Sequence, residues 1–300
     1  MKKNIKNHKK DIYTIKDIIR WTISKFNASK IFYGHGTDNP LDEAIQLILP
    51  NLFLPLDFPK NLYNTNITFK EKLKIFKKVK ERINNKIPIS YLTNKAWFCG
   101  LEFYIDKRVI IPRSPISEII NNKFYNLLKF KPNYILDMCT GCGCFAIACA
   151  YSFPKSEIDA VDINVNALKI TEYNIKKHKV NNRVFPIYSN LFKNIKFKKY
   201  DIIITNPPYI NNININILPK EYKYEPISAL KTKNKGLKII KIIISLASNY
   251  LSKKGILICE VGNNMSKLIN KYPKLKFKWF KFKNGGNGVF IIKKKHLINS

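Results

Sequence analysis

The run Asp201-Ile202-Ile203-Ile204-Thr205-Asn206-Pro207-Pro208-Tyr209-Ile210 organises the reading of this sequence. Its β-branched, apolar start has the length and content of a parallel strand buried on both faces. The two prolines end that strand, because neither can donate to a sheet ladder. Asn206 is therefore expected at the carboxyl end of a strand, where open α/β sheets place their chemistry. Two fixed φ angles hold the Asn206 carboxamide and the nearby carbonyls in one geometry. An amide oxygen beside a carbonyl can accept both hydrogens of a planar NH2 group. Tyr209 offers a ring face to lie over such a group. Taken alone, the stretch serves equally well as a holder for a planar amino or amide nitrogen and as a proline turn that closes a strand.

Outward from this run, strands alternate with helices. Tyr134 to Met138 reads as a buried strand, followed by the turn Cys139-Thr140-Gly141-Cys142-Gly143-Cys144 and a helix over Phe145 to Tyr151. Glu157 to Ile163, Val184 to Tyr188, Asp201 to Thr205 and Gly255 to Glu260 read as further strands, with helices over about 116–129, 166–177 and 236–249. Phe277 to Phe282, Asn284 to Gly288 and Val289 to Lys293 read as a closing hairpin. The alternation predicts an α/β fold with a parallel, doubly wound sheet. Asp137-x-x-Thr140-Gly141-x-Gly143 follows the first of these strands and opens a helix. Glycines there let a ligand approach the backbone near an electropositive helix end. Asp162 ends the next strand, where a carboxylate can take two ribose hydroxyls. That spacing suits NAD or S-adenosylmethionine.

The first 90 or so residues read differently. Ile12, Ile15, Ile18, Ile19, Ile23 and Phe26 recur at helical spacing. Leu41 to Leu49 reads as a second helix, capped by Asp38 or Asn39 with Pro40 at its first position. Pro50 to Pro59 reads as a linker. Thr68 to Ile83 reads as a third helix, with Leu73, Ile75, Phe76 and Val79 inward and Thr68 and Glu71 at capping-box spacing. Ala96 to Ile111, rich in aromatic and β-branched residues and broken at Gly100 and Asp106-Lys107, reads as a connecting hairpin.

Composition sets the outer limits. The chain has 300 residues, 45% hydrophobic, enough for a substantial core. No apolar run reaches the roughly 18 residues of a membrane span. The basic start Met1-Lys2-Lys3-Asn4-Ile5-Lys6 is followed by no apolar signal core, so a cytoplasmic protein without a membrane is expected. The formal net charge is +34, yet only five of the 54 basic residues are Arg. Clustered Arg, whose fork matches phosphate, is thus missing. Lys spread through every segment reads as compositional drift or as a general, non-specific attraction to RNA. Six cysteines, four of them between Cys139 and Cys149, lack a second pair or nearby His at metal-ligand spacing. They read as small buried apolar residues, and no metal is expected.

Taken together, Asp137-x-x-Thr140-Gly141-x-Gly143, Asp162 and Asn206-Pro207-Pro208-Tyr209 resemble the amino-methylating class I S-adenosylmethionine methyltransferases. With Ile110-Ile111-Pro112-Arg113, Glu225-Pro226-x-x-Ala229-Leu230 and the helical start, the chain resembles the protein-(glutamine-N5) methyltransferases. Tyr91 to Gly100, Pro112-Arg113-Ser114-Pro115-Ile116, Tyr33-Gly34-His35-Gly36-Thr37-Asp38-Asn39-Pro40 and Asn284-Gly285-Gly286 resemble the branch acting on ribosomal large-subunit protein three, uL3. The Pro-Glu-Thr-Glu usual after Pro-Arg in the release-factor branch is absent. The likeness runs from about Ile15 to the end.

The resemblance implies a Rossmann-like, seven-stranded sheet with its last strand antiparallel. It implies a helical substrate-recognition domain over 1–92, a β-hairpin connector over 93–115 and a methyltransferase domain over 116–300. The implied reaction moves a methyl group from S-adenosylmethionine to N5 of a glutamine in uL3, free or in assembling ribosomes. The Gly-Gly-Gln glutamine of release factors is the alternative target. Asp137, Thr140, Gly141, Gly143, Asp162, Asn190 and Asn206 are the implied cofactor-binding set. Asn206, Pro207, Pro208 and Tyr209 are the implied substrate-binding residues, with Asn206, Pro207 and Tyr209 catalytic. Cys142 stands where the family commonly has Ser or Thr, and Asn190 replaces a usual Asp that helps hold the adenine amino group.

Overall fold

The structure is a computed structural model that describes residues 12–125, 127–196, 198–211, 217–232, 236–283 and 285–297. Residues 1–11, 233–235 and Asn284, which carried some of the expectations above, lie outside the described residues. One unit comprises Met1–Lys95 with Pro219–Tyr224, the other Ala96–Leu218 with Glu225–Ser300.

The first unit is helical: α1 (Ile15–Asn27), α2 (Pro40–Asn51), α3 (Phe69–Asn85) and α4 (Ile89–Thr93). Caps fix where each long helix starts. Thr14 with Asp17 and Thr68 with Glu71 form capping boxes, and Asn39 accepts the Asp42 N–H ahead of Pro40. Ile18, Phe26, Leu47, Ile48, Ile75 and Val79 form the core of this unit. Leu73, expected to face inward, is exposed. Lys72 is buried in its stead, its ammonium 5.3 Å from the Tyr13 ring centroid. A long aliphatic stem can cover apolar surface as a Leu does, which the hydrophobic pattern alone does not register. Pro50 belongs to the last turn of α2, so the expected linker begins later. Buried Arg82 ties the excursion 219–224 to the helices. It donates to Glu43, to Glu221 at 3.0 Å and to the Phe32 carbonyl at 2.7 Å.

The second unit begins within the hairpin β1 (Lys95–Phe98) and β2 (Leu101–Tyr104), joined through Cys99 and Gly100 at φ 51 and 75. This is the two-residue, positive-φ connection that suits the strand twist. The expected helix 116–129 is shorter, ending as α5 (Ile116–Asn121). Lys123 and Phe124 turn left-handed there and Phe124 becomes buried. Burying that ring outweighs continuing a helix through Asn121-Asn122. Then come β3 (Tyr134–Met138), α6 (Cys144–Ser152), β4 (Glu157–Asp162), α7 (Val165–Lys177), β5 (Val184–Tyr188), β6 (Tyr200–Thr205) and α8 (Ile227–Leu230). They are followed by α9 (Lys238–Tyr250), β7 (Leu251–Glu260), α10 (Met265–Lys271), β8 (Lys278–Trp279), β9 (Val289–Lys293) and α11 (Lys294–Leu297).

The seven strands run in the order β5-β4-β3-β6-β7-β9-β8. All neighbours from β5 to β7 are parallel, and β9 is antiparallel to both β7 and β8. This is the expected sheet. The order reverses beside β3, the switch point at which doubly wound sheets open a crevice. β6 is buried along its whole length, as its Ile run requires. Met138 aligns with Thr205, so the Gly-containing turn and Asn206 leave adjacent strands at the same level. Among the described residues no helix is long and apolar enough to cross a membrane.

Candidate active site

The turn after β3 is shaped by what holds it. Gly141 and Gly143 have φ of 58 and 82, and the non-glycine Cys139 has 64. Gly143 is the N-cap of α6 and offers no side chain to the orphan N–H groups of the first turn. Asp137 supplies the missing acceptor: its Oδ2 takes the Ala146 N–H at 3.0 Å and the Thr140 hydroxyl at 2.5 Å. Its Oδ1 is buried with no hydrogen-bond partner among the described residues. Complete burial pushes the Asp137 carboxyl up to about 7, with the nearby Asp162 charge adding to the rise.

The two glycines differ. A Cβ at Gly141 would meet nothing within 4 Å, which leaves its backbone open to a ligand. A Cβ at Gly143 would lie 3.0 Å from the Thr171 methyl, so Gly143 serves the close packing of α6 against α7. Thr171 also donates to the Gly141 carbonyl at 2.8 Å. Asn174 donates to the Cys142 carbonyl at 2.9 Å and exchanges two bonds with the Tyr104 backbone. One face of α7 thus fixes both turn carbonyls and β2. Asp162, at the end of β4, accepts the Gly141 N–H at 3.0 Å and the Asn164 N–H at 2.9 Å. Burial raises its carboxyl above the ordinary range against these two bonds.

The end of β6 is held as firmly. Thr205 donates to the Met138 carbonyl at 2.7 Å, locking β6 to β3 just before Asn206. Beyond the prolines, Ile210 bonds to Leu230 and Thr232, at 3.0 Å each. The Tyr209 carbonyl accepts from the Asn264 carboxamide at 2.9 Å, and its hydroxyl donates to Glu260 at 2.9 Å. Gly262 packs on the Tyr209 ring, where a Cβ would come within 2.5 Å. Glu225, whose carboxylate is buried, forms a two-point pair with Arg113 and accepts the Ile111 N–H at 3.1 Å.

A cavity of about 750 Å³ opens at these strand ends. Gly141, Asp162, Asn190, Asn206 and Pro208 line it, with Ile163, Ser228 and Ala229 among the other walls. Its size suits a cofactor together with part of a substrate. Asp137, Thr140 and Gly143 are not among the lining residues; Thr140 donates to Asp137, and a Cβ at Gly143 would meet Thr171. Pro207 is buried and Tyr209 half-buried, and neither is among the lining residues.

Several residues that shape the site escaped the sequence reading. Thr171 and Asn174 look like ordinary helix positions. Glu260, Gly262 and Asn264 carried a usable signal, since a carboxylate ends a central strand there with Gly two residues on. Among the described residues no group of three or more His, Cys, Asp or Glu could hold a metal ion. The six cysteines are free thiols, four of them buried, and burial pushes the Cys99 thiol up to about 12. Such thiols behave as apolar filling.

Residues 119–218 match the family model described as the methyltransferase small domain. The chain is 40% identical over 290 residues to the ribosomal protein uL3 glutamine methyltransferase of Francisella tularensis, covering 96% of this chain and 92% of that protein. It is 37% identical to the protein of the same name from Neisseria gonorrhoeae, covering 96% and 97%. Among solved structures it is similar to a methyltransferase from Pyrococcus furiosus, with 16% identity, a TM-score of 0.47 and coverage of 76% and 99%. Identity at this level along nearly the whole of both relatives identifies the chain as a member of the ribosomal protein uL3 glutamine methyltransferase family.

Proposed function

We propose that the protein transfers the methyl group of S-adenosylmethionine to the side-chain amide nitrogen, N5, of a glutamine in ribosomal protein uL3. The observation that carries this reading is the convergence on one cavity of Gly141, Asp162 and Asn190 with Asn206 and Pro208. Three strand ends there suit a nucleoside-bearing cofactor, and a fourth suits a planar nitrogen. The cytoplasm, where ribosomal proteins are made, is the compartment this reading implies.

The residues present fit the cofactor. Gly141 leaves space for close approach of its methionine end. The buried, unpartnered Oδ1 of Asp137 suits its ammonium. Asp162 keeps lone pairs beyond its two backbone donors for ribose hydroxyls. Asn190 can still accept from an adenine amino group. Thr140 and Gly143 act through the turn they hold. When bound, the cofactor supplies an electrophilic methyl on a sulfonium.

An amide nitrogen is a poor nucleophile because its lone pair is delocalised. In this reading Asn206 Oδ1 and the Pro207 carbonyl accept its two N–H groups and aim the lone pair out of the amide plane. Pro207 and Pro208 keep those acceptors from relaxing. Tyr209 packs over the amide and favours the nearby positive charge. The rate gain comes from orientation and fixed dipoles. No strong side-chain base is required, because the nitrogen becomes strongly acidic once it carries the methyl.

The test is to incubate the protein with methyl-labelled S-adenosylmethionine and, separately, free uL3, ribosome-assembly particles, release factors and DNA. Label on a uL3 glutamine is expected. Label only on the Gly-Gly-Gln of release factors, or on adenine, would overturn the assignment. Comparison of free uL3 with particles shows whether the Lys-rich surface gains from RNA, since such a gain fades as salt rises.

A further inference from the structure

Glu260 ends β7, the strand beside β6, and is almost fully buried. Its two carboxylate oxygens are divided between two motifs far apart in sequence. Oε1 accepts the Tyr209 hydroxyl at 2.9 Å and Oε2 accepts the Ser114 hydroxyl at 2.5 Å. Ser114 belongs to the Pro112-Arg113-Ser114-Pro115 segment, and its Oγ also accepts the Ile116 N–H at the start of α5. Nothing in the reaction requires a buried acid at this place, and burying one is costly unless its partners are fixed.

We infer that Glu260 is a positioning residue for the acceptor amide, its carboxylate holding the Tyr209 ring in register with Asn206 and tying both to the Ser114 segment. This rests on the function proposed above. Three residues at and just beyond the end of β7 contact Tyr209. Glu260 holds the hydroxyl, Asn264 holds the carbonyl at 2.9 Å, and Gly262 leaves room for the ring, since a Cβ there would come within 2.5 Å of it. A carboxylate is an acceptor only, so it sets both hydroxyls as donors and leaves one arrangement. Burial raises the Glu260 carboxyl above its ordinary range, while the Ser114 and Tyr209 bonds and the Arg113 charge pull it back. With its hydroxyl committed to Glu260, Tyr209 acts through its ring and does not carry protons.

The experiment compares Glu260→Gln, Tyr209→Phe and the double variant with the unsubstituted protein. It measures kcat and KM for uL3, affinity for S-adenosylhomocysteine by calorimetry, and thermal stability. Each single variant is expected to lose about 10- to 100-fold in kcat, the scale of a slightly misplaced reacting group. Cofactor affinity should stay within about twofold, and the double variant should be no worse than the poorer single one, as for two residues acting as a unit. Full activity in Glu260→Gln, or losses that multiply in the double variant, would overturn the inference. Should Glu260→Gln fail to fold, Tyr209→Phe and Ser114→Ala carry the test: reduced kcat with unchanged cofactor affinity in both supports it, and unchanged kcat in either overturns it. Failure of the proposed function shows separately, as unsubstituted protein that labels no glutamine.

Discussion

Asp137 reaches across nine residues to accept the backbone N–H of Ala146 at 3.0 Å. It caps a helix whose own N-cap, Gly143, has no side chain. The cap is built from a group that burial holds near neutrality, with a carboxyl at about 7. The sign of the consequence is fixed. The folded state keeps a proton that the unfolded chain releases above about pH 4. Stability is therefore fully present below that pH, falls as pH rises to about 7 and is level beyond. Urea midpoints at pH 5 and pH 8 should differ more for the unsubstituted protein than for Asp137→Asn. An equal pH dependence in both would remove Asp137 as the cause.

The same group is expected to link cofactor binding to protons. If Oδ1 receives a ligand ammonium, binding favours the ionised carboxylate. Affinity for S-adenosylhomocysteine should then strengthen from pH 5.5 to 8, and lose that dependence in Asp137→Asn. Calorimetry in two buffers of different ionisation enthalpy would report the released proton directly.

At Asp162 the expected loss is one of cofactor affinity. The carboxylate holds the Gly141 and Asn164 N–H groups and is the group proposed to take the ribose hydroxyls. Hydrogen bonds to a charged group are worth about 1.5–3 kcal/mol each. Asp162→Ala should weaken S-adenosylhomocysteine by at least about tenfold. Unchanged affinity would rule out the ribose role.

Arg113 and Glu225 make a different kind of prediction, about folding. Removing Arg113 leaves the buried Glu225 carboxylate without its cation, a loss on the order of 3–5 kcal/mol. Arg113→Met with Glu225→Gln should regain part of that loss, because no unpaired charge is then buried. Chemical denaturation of the two variants checks the order. A double variant less stable than Arg113→Met would contradict it.

These residues also show where the sequence was legible. The Ile run of β6, the β3 turn and the strand-end Asp162 are local patterns, and each is where its periodicity and turn chemistry put it. Asn39, Thr68 and Glu71 cap helices as their spacing predicts. The surroundings of Tyr209 were not legible in the same way. Glu260 lies 51 residues on and Asn264 lies 55, and only the parallel pairing of β6 with β7 brings them near. The packing need at Gly143 was not legible either, because Thr171 on α7, whose methyl would lie 3.0 Å from a Cβ there, is distant in sequence. Leu73 and Lys72 exchanged roles because periodicity scores a lysine by its charge and not by its stem.

Asn206→Ala probes the proposed transfer step itself. The substitution removes one acceptor proposed for the substrate amide and leaves β6, the prolines and the β3 turn in place. Near-normal affinity for S-adenosylhomocysteine is expected, with methyl transfer to uL3 reduced by at least about 100-fold, because the group proposed to orient the amide nitrogen for attack is lost. Full transfer by Asn206→Ala would rule out Asn206 as the group that grips the acceptor amide.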